Sequence, residues 1–463
     1  MKKPQANRRN TLKSGERYRA ITRANVHKTR EWQLLAPEAR EAVLTVSTVL
    51  PFRTDEYVMR DLIDWSRVPD DPIFQLTFPQ RGMLSEDDYA TMSALVRSNA
   101  ARDVIDREAN RIRRTLNPHP AGQMAMNVPV WRAKPLAGAQ HKYRETVLFF
   151  PSQGQTCHAY CTFCFRWAQF IGIDELKFAN DEIEQLVGYL RDHREVTNVL
   201  FTGGDPMIMS ARHLRRYIEP LLDPELEHVH TIRIGTKSVA YWPQRFVSDP
   251  DAEDVLRLFE EVTAAGRHLA LMAHYSHPVE LSTTVSQEAV RRIRGTGANI
   301  RMQSPLIRRV NDDSDAWVDL WKTGVRLGCV PYYVFVERDT GARNYFELPL
   351  ARCWSIYRNA YNRVSGLART VRGPSMSATS GKVHILGISQ MADRKVFVLQ
   401  YVQARNPKLV RRPFFAKFDE QATWFDQLEP ATLSDREFFP SPRTGGTTSA
   451  FVNLTAHGRT GAA

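Results

Sequence analysis

With 463 residues, 43% of them hydrophobic and 25% charged, the chain has room for one barrel-sized catalytic domain with appendages, or for two ordinary domains. It holds no apolar run near the roughly 20 residues of a membrane span and no apolar leader at its start, so the cytoplasm is the expected location. The net charge of +12 is concentrated at one end: residues 1–30 carry ten Lys or Arg against Glu16 alone. They read as a solvated basic arm, and the nearly balanced remainder is no nucleic-acid surface.

Residues 31–140 follow as a helical region and linker. Charged amphipathic helices are expected at Glu38–Val46, Glu86–Asn99 and Ala101–Leu116, and the Pro-, Gly- and Ala-rich Asn117–Gln140 reads as the linker. The pattern then alternates. Strand-like runs at Thr146–Phe150, Asn198–Thr202, Thr231–Gly235, His268–His274, Asn299–Ser304 and Pro331–Glu337 are separated by amphipathic helices, and a further helix is expected at Leu348–Val364. Six such units predict a parallel sheet with right-handed crossovers, either doubly wound or arc-shaped like part of a barrel. Two more strands are expected at Lys395–Val402 and Pro413–Phe418, and residues 421–463 read as an extended or disordered tail.

Five cysteines in so long a chain are no disulfide framework, yet three of them fall within eight residues: Cys157-His-Ala-Tyr-Cys161-Thr-Phe-Cys164. Three thiolates at this spacing can hold three irons of a 4Fe–4S cube and leave the fourth open to a small molecule. Structural zinc is the rival reading, but it asks for a fourth ligand, and Cys329 and Cys353 are distant and unpaired. Directly after the second strand comes Thr202-Gly203-Gly204-Asp205-Pro206, whose glycines permit close backbone approach to a ligand. Asp205 could equally cap the turn that follows.

In order and in kind, these motifs resemble the lysine 2,3-aminomutases, a family of radical S-adenosylmethionine (SAM) enzymes. The resemblance extends from about Leu50 to about Phe418 and includes Leu50-Pro-Phe-Arg53, Asp70-Asp-Pro72, His141-Lys-Tyr143, Ile232-Arg-Ile-Gly235, Pro243-Gln-Arg245, His274-Tyr-Ser-His277-Pro278, Gln303-Ser304, Val310-Asn-Asp312 and Pro331-Tyr-Tyr333. It implies a partial (β/α)6 barrel over residues 141–345, with an N-terminal helical extension and a C-terminal appendage at residues 346–420.

The resemblance further implies an isomerase that moves an amino group from Cα to Cβ of an amino acid. The implied cofactors are a 4Fe–4S cluster on Cys157, Cys161 and Cys164, SAM, and pyridoxal 5′-phosphate (PLP). Gly203, Gly204, Asp205, His274 and Gln303 then stand at SAM-contacting positions. Lys382, fifteen residues after the Ser365-Gly366-Leu367 run, stands at the PLP lysine. Lys142 remains of the basic residues expected on the phosphate, and Thr146 stands where a second would be. Arg166 matches the residue for the substrate α-carboxylate. Arg338 and Ser375 stand where lysine-using members carry aspartates that grip the ε-ammonium. A guanidinium there reverses the field, so the expected substrate is an acidic amino acid such as glutamate or aspartate rather than lysine. A reducing partner of the flavodoxin or ferredoxin kind and a homo-oligomer are also implied. The alternative is an enzyme of the same fold that lacks PLP, or that deaminates or dehydrogenates its substrate.

Overall fold

The structure, a computed structural model, describes residues 18–117, 127–170, 179–180 and 182–440. Its centre is one eleven-stranded sheet whose strands lie side by side in chain order. They are β1 (Ala139–Tyr143), β2 (Thr146–Phe149), β3 (Asn198–Phe201), β4 (Thr231–Thr236), β5 (His268–His274), β6 (Asn299–Leu306), β7 (Val330–Val336), β8 (Arg372–Ser377), β9 (Gly381–Met391), β10 (Arg394–Ala404) and β11 (Pro413–Lys417). Strands β2 to β8 run parallel; β1 pairs antiparallel with β2, and β8 to β11 form an antiparallel meander.

Each parallel connection carries a helix, the last being Leu350–Tyr361 between β7 and β8. Three of these helices begin on a side-chain cap: Ser210 accepts from His213 N–H, Thr283 from Ser286 and Asp313 from Ala316. Helix Ala252–Ala264 buries Val255, Leu258, Phe259 and Val262, the i, i+3, i+4, i+7 stripe of a helix laid on a sheet. Every new parallel strand is added on the same side of the last. With right-handed crossovers, that places all the connecting helices on one face.

A hydrogen bond shows how far the sheet bends. Lys142 on β1 donates from Nζ to the carbonyl of Ala378, just beyond β8, at 2.7 Å. Seven strand spacings in a flat sheet would separate these strands by about 34 Å. The sheet therefore curls until β1 comes back beside the end of β8, and the helix-free face becomes an interior.

Three expectations need correction. A seventh parallel strand, β8, and the whole of β9 are absent from the sequence reading; Arg372-Gly-Pro-Ser-Met-Ser377 has no β-branched run, and its pairing comes from the flanking strands. The 421–463 tail is not extended throughout: Trp424, Phe425, Leu428 and Phe438 are buried, and aromatic packing holds residues 421–440 in place. The basic arm is structured from Ala20, where Ala20–Thr22 pairs with Arg53–Asp55 and buries Ile21. Residues 1–17 and 441–463 lie outside the described residues, as do 118–126 of the expected linker, whose remainder forms the Val130–Trp131/Lys134–Pro135 hairpin and leads into β1.

Candidate active site

The cysteine loop leaves the C-terminal end of β2 and is fixed largely by the N-terminal region. Backbone N–H groups of Tyr160 and Thr162 donate to the carbonyls of Arg53 (2.8 Å) and Leu76 (2.9 Å). Thr162 Oγ1 donates to the Gln75 carbonyl at 2.7 Å. Arg53 Nη1 donates to the Cys157 carbonyl at 2.8 Å and to Thr156 Oγ1 at 2.9 Å. Tyr18 donates to the carbonyl of His158. Neither Tyr18 nor Gln75 stands in a recognisable functional motif.

All three thiols are half-buried. Burial pushes the Cys164 thiol up to about 11 and the other two higher still, and the neighbouring Cys164 and Cys161 raise Cys157 further. Three such thiols from one loop are a fitting donor set for an iron–sulfur cube, whose loading would release their protons. Among the described residues no group of three or more His, Cys, Asp or Glu side chains is drawn together as a single metal ion would need.

The Gly-Gly-Asp turn after β3 interlocks with this loop. A β-carbon on Gly203 would come within 2.1 Å of Gln155 Nε2, and one on Gly204 within 2.3 Å of the Thr156 carbonyl oxygen. The close approach these glycines permit is thus, in the first place, to the residues just before Cys157. Asp205 does cap the next turn, accepting from Met207 N–H at 3.0 Å. Its carboxylate also takes Thr236 Oγ1 (2.7 Å), Lys237 N–H (2.8 Å) and Ser238 N–H (3.1 Å), and its backbone N–H donates to the Thr156 carbonyl at 2.8 Å. Asp205 is therefore a hub joining β3, β4 and the cysteine loop.

His274 ends β5, stacks on Phe163 of the cysteine loop at 5.7 Å, and is kept neutral by burial. Gln303 is its register partner on β6. His277 caps the turn beyond, accepting from Val279 N–H at 3.4 Å. Beside them lies a buried pair that the sequence did not reveal: Lys237 Nζ sits 2.8 Å from Glu280 Oε1 and also donates to the His274 carbonyl at 3.2 Å.

Arg166 and Arg338 flank one ring. The Arg166 guanidinium lies 5.2 Å from the Phe165 centroid and 4.5 Å from Phe150; that of Arg338 lies 5.6 Å from Phe165 and 5.6 Å from Trp424. Arg166 Nη1 is buried with no hydrogen-bond partner, and burial lowers its pKa to about 10. Arg338 donates to the Ser377 carbonyl at 3.4 Å and lies 3.6 Å from Asp339. It stands two residues beyond the end of β7, so strand alternation from Tyr332 does not set its direction. Its neighbour Glu337 is buried and held well above the carboxylate range by desolvation, against the pull of Arg338.

Lys382 is the second residue of β9, not part of a loop. Its Nζ lies 4.3 Å from the centroid of Tyr333 and 5.7 Å from that of Phe335. Burial, then the cations Arg233, Arg372 and Lys142, lower its pKa to about 7. Lys142 is likewise lowered to about 7 by burial, with Arg405 and Arg338 adding to the effect. Ser375 Oγ and the Nε2 of His384, the residue opposite it, are both buried without a partner.

The chain belongs to the lysine 2,3-aminomutase family of radical SAM enzymes. A chain of Aquifex aeolicus provisionally named L-lysine 2,3-aminomutase is 31% identical over 389 residues, 84% of this chain and 90% of that one. The L-lysine 2,3-aminomutase of Clostridium subterminale is 28% identical over 232 residues, half of this chain and 52% of that one. No family model matches. Among solved structures, a radical SAM methyltransferase from Sphaerobacter thermophilus covers 49% of this chain and 66% of its own at 18% identity, with a TM-score of 0.35, too low to carry an argument.

Membership makes the protein an enzyme of the aminomutase kind and implies SAM, an iron–sulfur cluster, a small-molecule substrate and a reductant. Among the described residues no helix is long and apolar enough to cross a membrane.

Proposed function

We propose that this chain is a PLP-dependent radical SAM 2,3-aminomutase that converts an acidic α-amino acid, such as glutamate or aspartate, to its β-isomer inside a partial (β/α) barrel. The observation that carries the PLP part is the setting of Lys382. A buried amine with a pKa near 7, against an aromatic ring and among cations, is about half unprotonated at neutral pH and so available as a nucleophile.

When bound, SAM supplies the hydrogen-abstracting radical after one-electron reduction, and PLP carries the substrate amine during its migration. In this reading Cys157, Cys161 and Cys164 hold the cluster, while Gly203, Gly204, Asp205, His274 and Gln303 shape the SAM wall. Lys142 and Lys382 face the PLP. Arg166 takes the α-carboxylate with its free N–H, and Arg338 takes the distal carboxylate across Phe165. With Ser375 instead of an acid, nothing at that position favours a lysine ε-ammonium. The curl of the sheet keeps these groups round one interior and limits access of water.

Borohydride treatment of the PLP-loaded chain should fix label on Lys382 and none on Lys382→Ala. Anaerobic assay should turn over glutamate or aspartate in preference to lysine. Turnover without a label on Lys382 would favour the PLP-free alternative, and loss of the amino group as ammonia would favour deamination.

A further inference from the structure

Two arginines near Lys382 have no carboxylate partner among the described residues. Arg372 opens β8 and is solvent-accessible. Its guanidinium lies 4.7 Å from the centroid of Tyr332 and 4.5 Å from that of Tyr333, the same ring that Lys382 approaches from 4.3 Å. Arg233 on β4 is near enough for its charge to act on Lys382, and its Nε donates to Asn198 Oδ1 at 2.7 Å. Two buried polar atoms complete the group. Ser375 Oγ and His384 Nε2, paired across β8 and β9, have no protein partner, and the His384 ring lies 6.0 Å from that of Tyr333.

Unsatisfied buried groups are expensive, and an uncompensated collection of cations is more so. Their joint presence calls for an anion with several acceptor oxygens. A phosphate monoester dianion fits best: it carries two charges and three acceptors, enough for two guanidinium forks, a hydroxyl and an imidazole N–H. Lys142 meets that need only in part, because one of its N–H groups goes to the Ala378 carbonyl.

We propose that Arg233, Arg372, Ser375 and His384 form a phosphate subsite beside Lys382 that takes the phosphate of the PLP. This rests on the reading of Lys382 given above. It also accounts for Thr146: the positive charge missing from the start of β2 is supplied by β4 and β8 from across the interior.

The test compares ligands with and without the phosphate. The purified chain is titrated with PLP, pyridoxal and inorganic phosphate, with bound aldehyde read by absorbance and attachment by the mass of the borohydride-reduced Lys382 peptide. The wild type should hold PLP at least about tenfold more tightly than pyridoxal. Arg372→Gln should remove most of that advantage, weakening PLP far more than pyridoxal; Arg372→Lys should restore part of it, and His384→Ala should act in the same direction with smaller effect. Equal weakening of PLP and pyridoxal, or no weakening of either, would overturn the subsite. If wild type takes up neither aldehyde and Lys382 stays unlabelled, the PLP reading fails by itself. Calorimetry with inorganic phosphate then judges the subsite: binding lost in Arg372→Gln sustains it, and absence of binding overturns it.

Discussion

Gly204 and Thr156 touch so closely that a β-carbon on the glycine would sit 2.3 Å from the Thr156 carbonyl oxygen and 2.6 Å from its nitrogen. Both atoms are backbone and cannot swing aside. Gly204→Ala should therefore push the cysteine loop away from the turn after β3. The expected result is destabilisation by about 1–3 kcal/mol with poor iron retention after anaerobic reconstitution, checked by thermal melting and iron analysis.

Arg53 ties the cysteine loop to the N-terminal region through two hydrogen bonds, one to the carbonyl of Cys157 itself. Arg53→Ala should leave the sheet folded, as judged by circular dichroism, and lower the iron bound per chain. Arg53→Lys, which can replace one bond and not both, should fall between.

The two depressed lysines give the stability of the ligand-free protein a definite pH dependence. Lys382 and Lys142 are each lowered to about 7 when folded and lie near 10.5 when unfolded. Between pH 7 and about 10 the unfolded chain binds more protons, so stability rises with pH across that window. Lys382→Met should be more stable than wild type at pH 7, and the difference should shrink as pH approaches 10. Melting temperatures of the two proteins at pH 7, 8, 9 and 10 provide the check.

Arg338 is the proposed discriminator between acidic and basic substrates. Loss of a charge-assisted hydrogen bond to a carboxylate costs about 1.5–3 kcal/mol. Arg338→Ala should thus raise KM for the acidic amino acid by about 10- to 100-fold, with little change for an amino acid lacking a distal carboxylate. Steady-state kinetics on both decides it.

The sequence carried the cysteine loop, the Gly-Gly-Asp turn and six strands because each depends on local chemistry: thiolate spacing, glycine freedom, apolar β-branched runs. What it did not carry is long-range. Tyr18 and Gln75 bond the cysteine loop from far away in the chain, and neither stands in a motif. Trp424 reaches Arg338 from a stretch that read as tail. Lys382 was singled out by its spacing, but its strand depends on β8 and β10 pairing on either side, against a run of small residues with little strand preference of its own. Glycine chemistry was anticipated at 203 and 204, but which surface the glycines would meet was settled only by packing.

The Lys142–Ala378 bond has a consequence for traffic. It joins the edge strand β1 to the end of β8 with a side chain, not with a ladder of backbone hydrogen bonds, and β1 pairs with β2 alone. With the Arg405–Asn127 hydrogen bond, these ties are made by side chains, so the seam can part by side-chain rotation while every strand pair stays intact. In the function proposed above, the phosphorylated cofactor and the amino acid would pass in and out along this seam without any strand being unpaired.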